Sequence, residues 1–413
     1  MQSFQHKNFT ILHHQNSSMI ANARIIVNAG KCNDAPDAFG AAHYLEHMMF
    51  KGTQNYDYKE LNRRLALLGS VNAYTGDQLT VYHLTFLGAK IDEALQLLTD
   101  MVFRSSFPED EFEKERGVIL EERKTTLDDA HHLFHYGLQK HQLGDQHGHP
   151  TIGTEESING MTLKHLRDFH ANNYRPNNMA IAVTGNITKE QLIGILDKYL
   201  PDLEIKANPE SVPNLNFSHY HLKSDKFKQA ILCLNMPTKI TLKDELKMNF
   251  LPDLFNSALG GGMHSLLFDR IREELGLCYH IQSGHNAHRT YGTQQILCYL
   301  TDTNIDLVID ESKKIIEDIK ANGFKPELIE IAKTQLLFAL GRRLETSTGL
   351  NGMVDSYFDL EGFPIEQYVS ETVRQEQVSK ITNADMKGYA NLVYSSFDNW
   401  QIAKMTFEES SKD

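Results

Sequence analysis

The stretch Ala41-Ala42-His43-Tyr44-Leu45-Glu46-His47-Met48-Met49-Phe50-Lys51-Gly52-Thr53 decides the reading of this chain. In helical form, His43 and His47 lie one turn apart on one face, at the i, i+4 spacing with which two imidazoles hold one metal ion. Glu46 follows His43 by three residues and reaches the same face. Two neutral imidazoles beside a carboxylate are the parts of a zinc hydrolase: two ligands, and a base to take a proton from water. The order His-x-x-Glu-His reverses the commoner His-Glu-x-x-His. A chain with 20 histidines can produce this spacing by accident, so the pattern needs a third ligand in a matching context.

That context comes downstream in FPEDEFEKERGVILEERKTT, residues 107–126, a charged helical stretch with Val118, Ile119 and Leu120 as its apolar insert. Glu115 and Glu122 are seven residues apart, close to two helical turns, so both carboxylates project from one face. The bland alternative is a solvated acidic helix face.

HYLEHMMFKGT (43–53), NAYTGDQLTVYHLTF (72–86), ERGVILEE (115–122), Gly153-Thr154 and NYRPNNM (173–179) follow one another along the chain. Together they resemble the pitrilysin and mitochondrial-processing-peptidase family of zinc metallopeptidases, the inverzincins, in its short two-lobed form. The resemblance implies that His43, His47 and Glu122 bind one Zn2+ per chain and that Glu46 activates water. It makes Glu115 a further acid that orients a ligand. The implied activity is that of a zinc-dependent endopeptidase acting on unfolded peptides or flexible protein segments inside a chamber. The rival is a non-catalytic structural or partner subunit of the same family. Such relatives usually have eroded zinc motifs, whereas every ligand residue is present here.

Composition bounds the alternatives. The chain has 413 residues, enough for two domains with sizeable cores, and is 41% hydrophobic and 23% charged. A net charge of −13 argues against a nucleic-acid partner and suits basic peptides. No apolar run approaches a membrane span, so no membrane partner is expected. The start, MQSFQHKNFTILHHQN, lacks a basic segment followed by an apolar one, so a cytoplasmic location is the expectation. Cys32, Cys233, Cys278 and Cys298 show no CxxC spacing; Cys278 and Cys298, in apolar runs, read as buried thiols.

The first half mixes strand and helix patterns. Strands are expected over 21–29, 79–86 and 179–185, and helices over 61–68, 91–103, the Glu115/Glu122 stretch and 161–174. The expected fold class is α+β, with helices packed on a mostly antiparallel sheet. Residues 201–218, PDLEIKANPESVPNLNFS, carry three prolines and few aliphatics and form the linker candidate. Beyond it the chain repeats itself: the run LNRRLALLGSVNAY (61–74) resembles the run LFDRIREELGLCYH (267–280), in the register that places Gly69 over Gly276. The same register sets Phe250, Asp253 and Leu254 opposite His43, Glu46 and His47, so the second copy cannot carry the same metal site. The expectation is a catalytic lobe over 1–200, a linker over 201–218 and a metal-free lobe over 219–413. The family implies two homologous lobes enclosing a cavity.

Family members also carry an Arg/Tyr pair in the second lobe, matched here by Arg272 and Tyr279, whose guanidinium and phenol could donate to a developing oxyanion. By the same resemblance, Asn72 and Ala73 lie on a sheet edge that takes the substrate main chain. Many members of this length associate as two chains, which makes a homodimer compatible with the resemblance. The run Gly260-Gly261-Gly262 lacks a Gly-Lys-Ser/Thr ending, so nucleotide binding is rejected. His131 and His135 have ligand spacing, but no acid or cysteine supports a second metal site there.

Overall fold

The computed structural model describes residues 1–206, 212–248, 250–353, 355 and 370–409. The chain divides into two compact units. The first takes the described residues of 1–128, 144–213 and 343–369; the second takes those of 129–143, 214–342 and 370–413. Residues 207–211 of the proline-rich stretch lie outside the described residues.

In the first unit, β1 (Gln2–His6), β2 (Phe9–Gln15), β3 (Ile20–Val27), β4 (Gly69–Thr75), β5 (Thr80–Leu87) and β6 (Met179–Gly185) form a sheet ordered β1-β2-β6-β3-β5-β4. Only β2 and β6 pair in parallel; the other ladders are antiparallel. Strand period shows in β3, where Ile25 and Val27 enter the large core under the helices and Ile26 joins a smaller apolar cluster with Leu12, Val81 and Ala182. Burial on both faces explains why MAIAVTG (β6) is an apolar run without alternation.

The helices are α1 (Ala41–Met48), α2 (Tyr58–Leu68), α3 (Ile91–Phe103), α4 (Glu109–Leu127), α5 (Ala130–Gly148), α6 (Glu155–Gly160), α7 (Leu163–Asn173) and α8 (Lys189–Tyr199). Helix α5 is broken at Gly144, whose φ of 70° suits glycine. Its first part, up to Leu143, belongs to the second unit; its last turn returns to the first.

The second unit orders β7 (Tyr220–Ser224), β8 (Ala230–Thr238), β9 (Cys278–Ala287), β10 (Gly292–Leu300) and β11 (Gln401–Phe407) as β7-β11-β8-β10-β9. Among the described residues this repeats β2-β6-β3-β5-β4 of the first unit, with the one parallel pair in the same place. The duplication read from 61–74 and 267–280 is thus also a duplication of topology. Helices α9 (Leu242–Lys247), α10 (Leu251–Gly260), α11 (Ile305–Asn322) and α12 (Pro326–Leu344) follow the strands in the second half.

Each unit also holds a segment from the far part of the sequence. On the second unit's sheet, Phe134 and Leu138 of α5 pack against Ile231, Cys233, Ala403 and Met405. On the first, α13 (Ser347–Gly352) is fixed by polar contacts: Asn351 Nδ2 donates to Asn22 Oδ1 at 2.8 Å, and Thr184 Oγ1 to Asn351 Oδ1 at 2.5 Å. Asp355 pairs with buried Arg24 and accepts from Tyr74 Oη at 2.7 Å. Among the described residues, no helix is long and apolar enough to cross a membrane. Cys298 is buried and Cys278 half-buried.

Candidate metal centre

Helix α1 starts at Gly40, whose φ of 91° favours glycine; a Cβ there would lie 2.7 Å from the Ile152 carbonyl oxygen. Its first turn is held by a buried carboxylate: Asp34 Oδ2 accepts from Gly40 N at 2.7 Å and Oδ1 from Ala42 N at 2.9 Å. Asp34 in turn meets His149 Nε2 at 3.0 Å, and the His149 ring stacks on Phe39 at 4.1 Å. Asp34 did not stand out in the sequence. The only signal was an acid shortly before a helix, the ordinary mark of a cap.

Ala41, Ala42, Tyr44, Leu45 and Met48 bury the inner face of α1, which leaves His43 and His47 half-buried at its rim. Helix α4 presents Phe112, Glu115 and Ile119 as its buried stripe, and Glu122 continues that stripe at helical spacing. Tyr44 joins the two helices: its hydroxyl donates to the Phe112 carbonyl at 2.5 Å, and its ring stacks on Phe112 at 4.8 Å.

This packing converges His43, His47 and Glu122, whose ligand atoms lie within 4.8 Å of one another. His43 Nε2 is 3.7 Å and His47 Nε2 3.5 Å from the Glu122 oxygens. Those separations are long for hydrogen bonds but close to the ~3.4 Å between two N/O ligands on one tetrahedral zinc. The donor set therefore fits the ion that the sequence implies. It is the one such group of three among the described residues. His131, by contrast, gives its Nδ1 to a 2.6 Å bond with Tyr299 Oη and stacks on His135.

Electrostatics separates the roles. Burial, with His47 nearby, pushes the His43 imidazole down to about 3, so it is neutral near pH 7. Burial also opposes charge on His47, but the Glu115 hydrogen bond and the charges of Glu122, Glu46 and Glu115 prevail and raise its pKa. Glu115 is buried, yet its bonds to His47 Nδ1 at 2.9 Å and Lys51 Nζ at 2.5 Å hold its pKa below the usual carboxylate value against that burial. A carboxylate at Nδ1 keeps the proton on that nitrogen and leaves the Nε2 lone pair toward Glu122. Glu46 is raised by burial and by Glu122, while a hydrogen bond from Thr75 and the charge of His47 act the other way. Thr75 Oγ1 donates to Glu46 Oε2 at 2.5 Å. Thr75 had not been singled out, although it lies in the quoted NAYTGDQ run.

Asn72 and Ala73 lie on β4, the edge strand, bonded only to β5 among the described residues. Asn72 is exposed and its Oδ1 accepts from Ala73 N at 2.9 Å; Ala73 faces the core. Arg272 and Tyr279 belong to the second unit. The helix expected there is a π-helical turn, Phe268–Glu274, and the Arg272 guanidinium lies 4.4 Å over the Phe268 ring. Tyr279 is the extra residue of a β-bulge: Tyr299 faces His280 and Leu300 faces Cys278, and Tyr279 between them is 77% exposed.

Comparison with known proteins places the chain among zinc peptidase relatives by sequence and by fold. Residues 10–155 match the family model described as insulinase (peptidase family M16), and residues 160–336 the one described as peptidase M16 inactive domain. The chain is 30% identical over 326 residues to the uncharacterized zinc protease YmxG of Bacillus subtilis, covering 78% of each. In fold it resembles a protease from Helicobacter pylori, with a TM-score of 0.88 at 20% identity over 98% of this chain and 99% of that one. It also resembles a structure titled peptidase M16 inactive domain from Pseudomonas fluorescens, with a TM-score of 0.86 at 20% identity over 100% and 99%.

Proposed function

The chain belongs to the insulinase family of peptidases, family M16, and from that premise we propose that it is a zinc-dependent endopeptidase acting on unfolded peptides or flexible protein segments. The observation that carries the proposal is the convergence of His43, His47 and Glu122 with Glu46 beside them. His43, His47 and Glu122 would hold the zinc. When bound, zinc supplies Lewis acidity, polarising a carbonyl and lowering the pKa of water. Glu46, buried on α1, accepts a proton from the attacking water and later passes it to the leaving amine. Glu115 orients His47 and Lys51 balances its charge. The edge strand β4 receives the substrate as an added strand through Asn72 and Ala73, a mode that reads backbone more than side chains. Arg272 and Tyr279 are proposed as donors to the substrate carbonyl.

The deciding experiment is cleavage of a mixed library of unstructured peptides, with and without chelator, followed by zinc add-back. Chelator-sensitive cuts restored by zinc support the reading. No cleavage by protein shown to contain zinc favours the non-catalytic subunit instead.

A further inference from the structure

Glu46 is buried on α1, and among the described residues the Thr75 hydroxyl is the one hydrogen-bond donor to its carboxylate. The nearby phenols of Tyr82 and Tyr174 are bonded to each other at 2.7 Å. A carboxylate with a single donor turns about its last torsion unless that donor is itself held in place.

The position of Thr75 is set from outside its own strand. It closes β4, paired with Thr80, and the turn that follows is fastened to the segment just before the metal helix. Gly76 N donates to Leu79 O at 2.8 Å, Lys31 N to Gly76 O at 3.1 Å and Cys32 N to Asp77 O at 2.9 Å. Lys31, fully buried, reaches Asp77 with Nζ at 3.1 Å. At Gly30 the chains pass so closely that a Cβ would lie 2.3 Å from the Gly76 carbonyl oxygen. The same segment supplies Asp34, which caps α1. One short stretch, residues 30–34, thus fixes both the helix bearing Glu46 and the turn bearing its hydrogen-bond donor.

We propose that Thr75 is a positioning residue for Glu46: its hydroxyl takes up Oε2 and leaves Oε1 as the oxygen that receives the proton. This inference rests on the peptidase reading above. It also links two parts of that reading, because Thr75 is two residues from Ala73 on the strand proposed to receive the substrate. A peptide added to β4 and the base that serves it would then share one rigid strand end. An ordinary strand-end threonine that merely satisfies a buried acid is the competing account, and it makes no demand on the geometry of turnover.

The test compares wild type, Thr75→Val, which keeps the shape and loses the hydroxyl, and Thr75→Ser, which keeps the hydroxyl. In zinc-loaded protein, Thr75→Val is expected to lower kcat about 10- to 100-fold with KM within about 2-fold. Thr75→Ser is expected to recover most of that loss, with zinc content unchanged in both. Thr75→Ala serves as the second hydroxyl-free variant should valine disturb the strand end. Unchanged kcat in the hydroxyl-free variants, or a loss that serine fails to recover, overturns the proposal. Crystal structures of the zinc-free proteins supply a readout that needs no activity. Glu46 should hold one rotamer in wild type and Thr75→Ser and leave it in Thr75→Val; a single unchanged rotamer in Thr75→Val overturns the proposal. Absence of cleavage by wild type together with the expected rotamer change would reject the peptidase reading while retaining the Thr75–Glu46 coupling.

Discussion

His47 turns its two ring nitrogens to two different carboxylates: Nδ1 lies 2.9 Å from Glu115 Oε2, and Nε2 lies 3.5 Å from Glu122 Oε2. The first contact sets which nitrogen keeps its proton, and the second marks where a metal would be shared. Glu115→Gln removes the charge while keeping the size. It is expected to weaken zinc binding about 10- to 100-fold, read by competition with a chromophoric chelator. Equal affinity in the two proteins would leave Glu115 without an orienting role.

Zinc binding should release protons unequally from the two histidines. His43, held down to about 3, is already neutral, whereas His47 has a raised pKa and carries a proton in zinc-free protein below that value. A metal competes with that proton, so apparent affinity rises with pH until the folded-state pKa of His47 is passed, then levels off. Calorimetry in buffers of different ionisation enthalpy should find that the two histidines together release at most about one proton, and less of it as pH rises. Release of two would contradict the neutral state of His43.

Glu46→Gln should bind zinc as wild type does and cut peptides at least about 100-fold more slowly, since a general base contributes 10²- to 10⁴-fold. Substantial turnover by a zinc-replete mutant would remove Glu46 as the base.

Tyr279 projects from a β-bulge with its phenol exposed, the kind of distortion that re-aims a side chain. If it donates to the substrate oxygen as charge develops, Tyr279→Phe lowers kcat by about 100-fold or more while KM changes little. An unchanged kcat takes Tyr279 out of the catalytic set.

The Arg24–Asp355 pair is buried on both sides and ties residue 355 to the first unit's sheet. Asp355→Ala strands the guanidinium and should destabilise that unit by about 3–5 kcal/mol, read as a lower urea midpoint. A double replacement of the pair by apolar residues of similar volume should recover most of that loss.

The legible parts of the site are those governed by local geometry. His43 and His47 sit at i, i+4 on α1, and Glu115 and Glu122 at seven residues on α4, because helical pitch alone aligns them. Alternation and β-branching placed β3, β5 and β6 within one or two residues of their ends. The repeat at 267–280 carried the topology of the second sheet, since a duplicated pattern of apolar faces packs in a duplicated way. The repeat makes the Arg272 segment the counterpart of the ordinary helix at 61–68, yet Leu275 N bonds to Arg270 O, five residues back; that choice of wider turn depends on packing, which periodicity does not encode.

By itself, then, the sequence determined which helices carry the candidate metal ligands and that the chain is built twice from one pattern, because these follow from spacing along a few turns. Only the tertiary structure decided the rest. It brought Asp34 to His149, Tyr44 to the Phe112 carbonyl and Thr75 to Glu46. It assigned residues 129–143 to one unit and the described residues of 343–369 to the other. Each of these is a contact between residues far apart in the chain, chosen by which surfaces could be buried together with their polar groups satisfied.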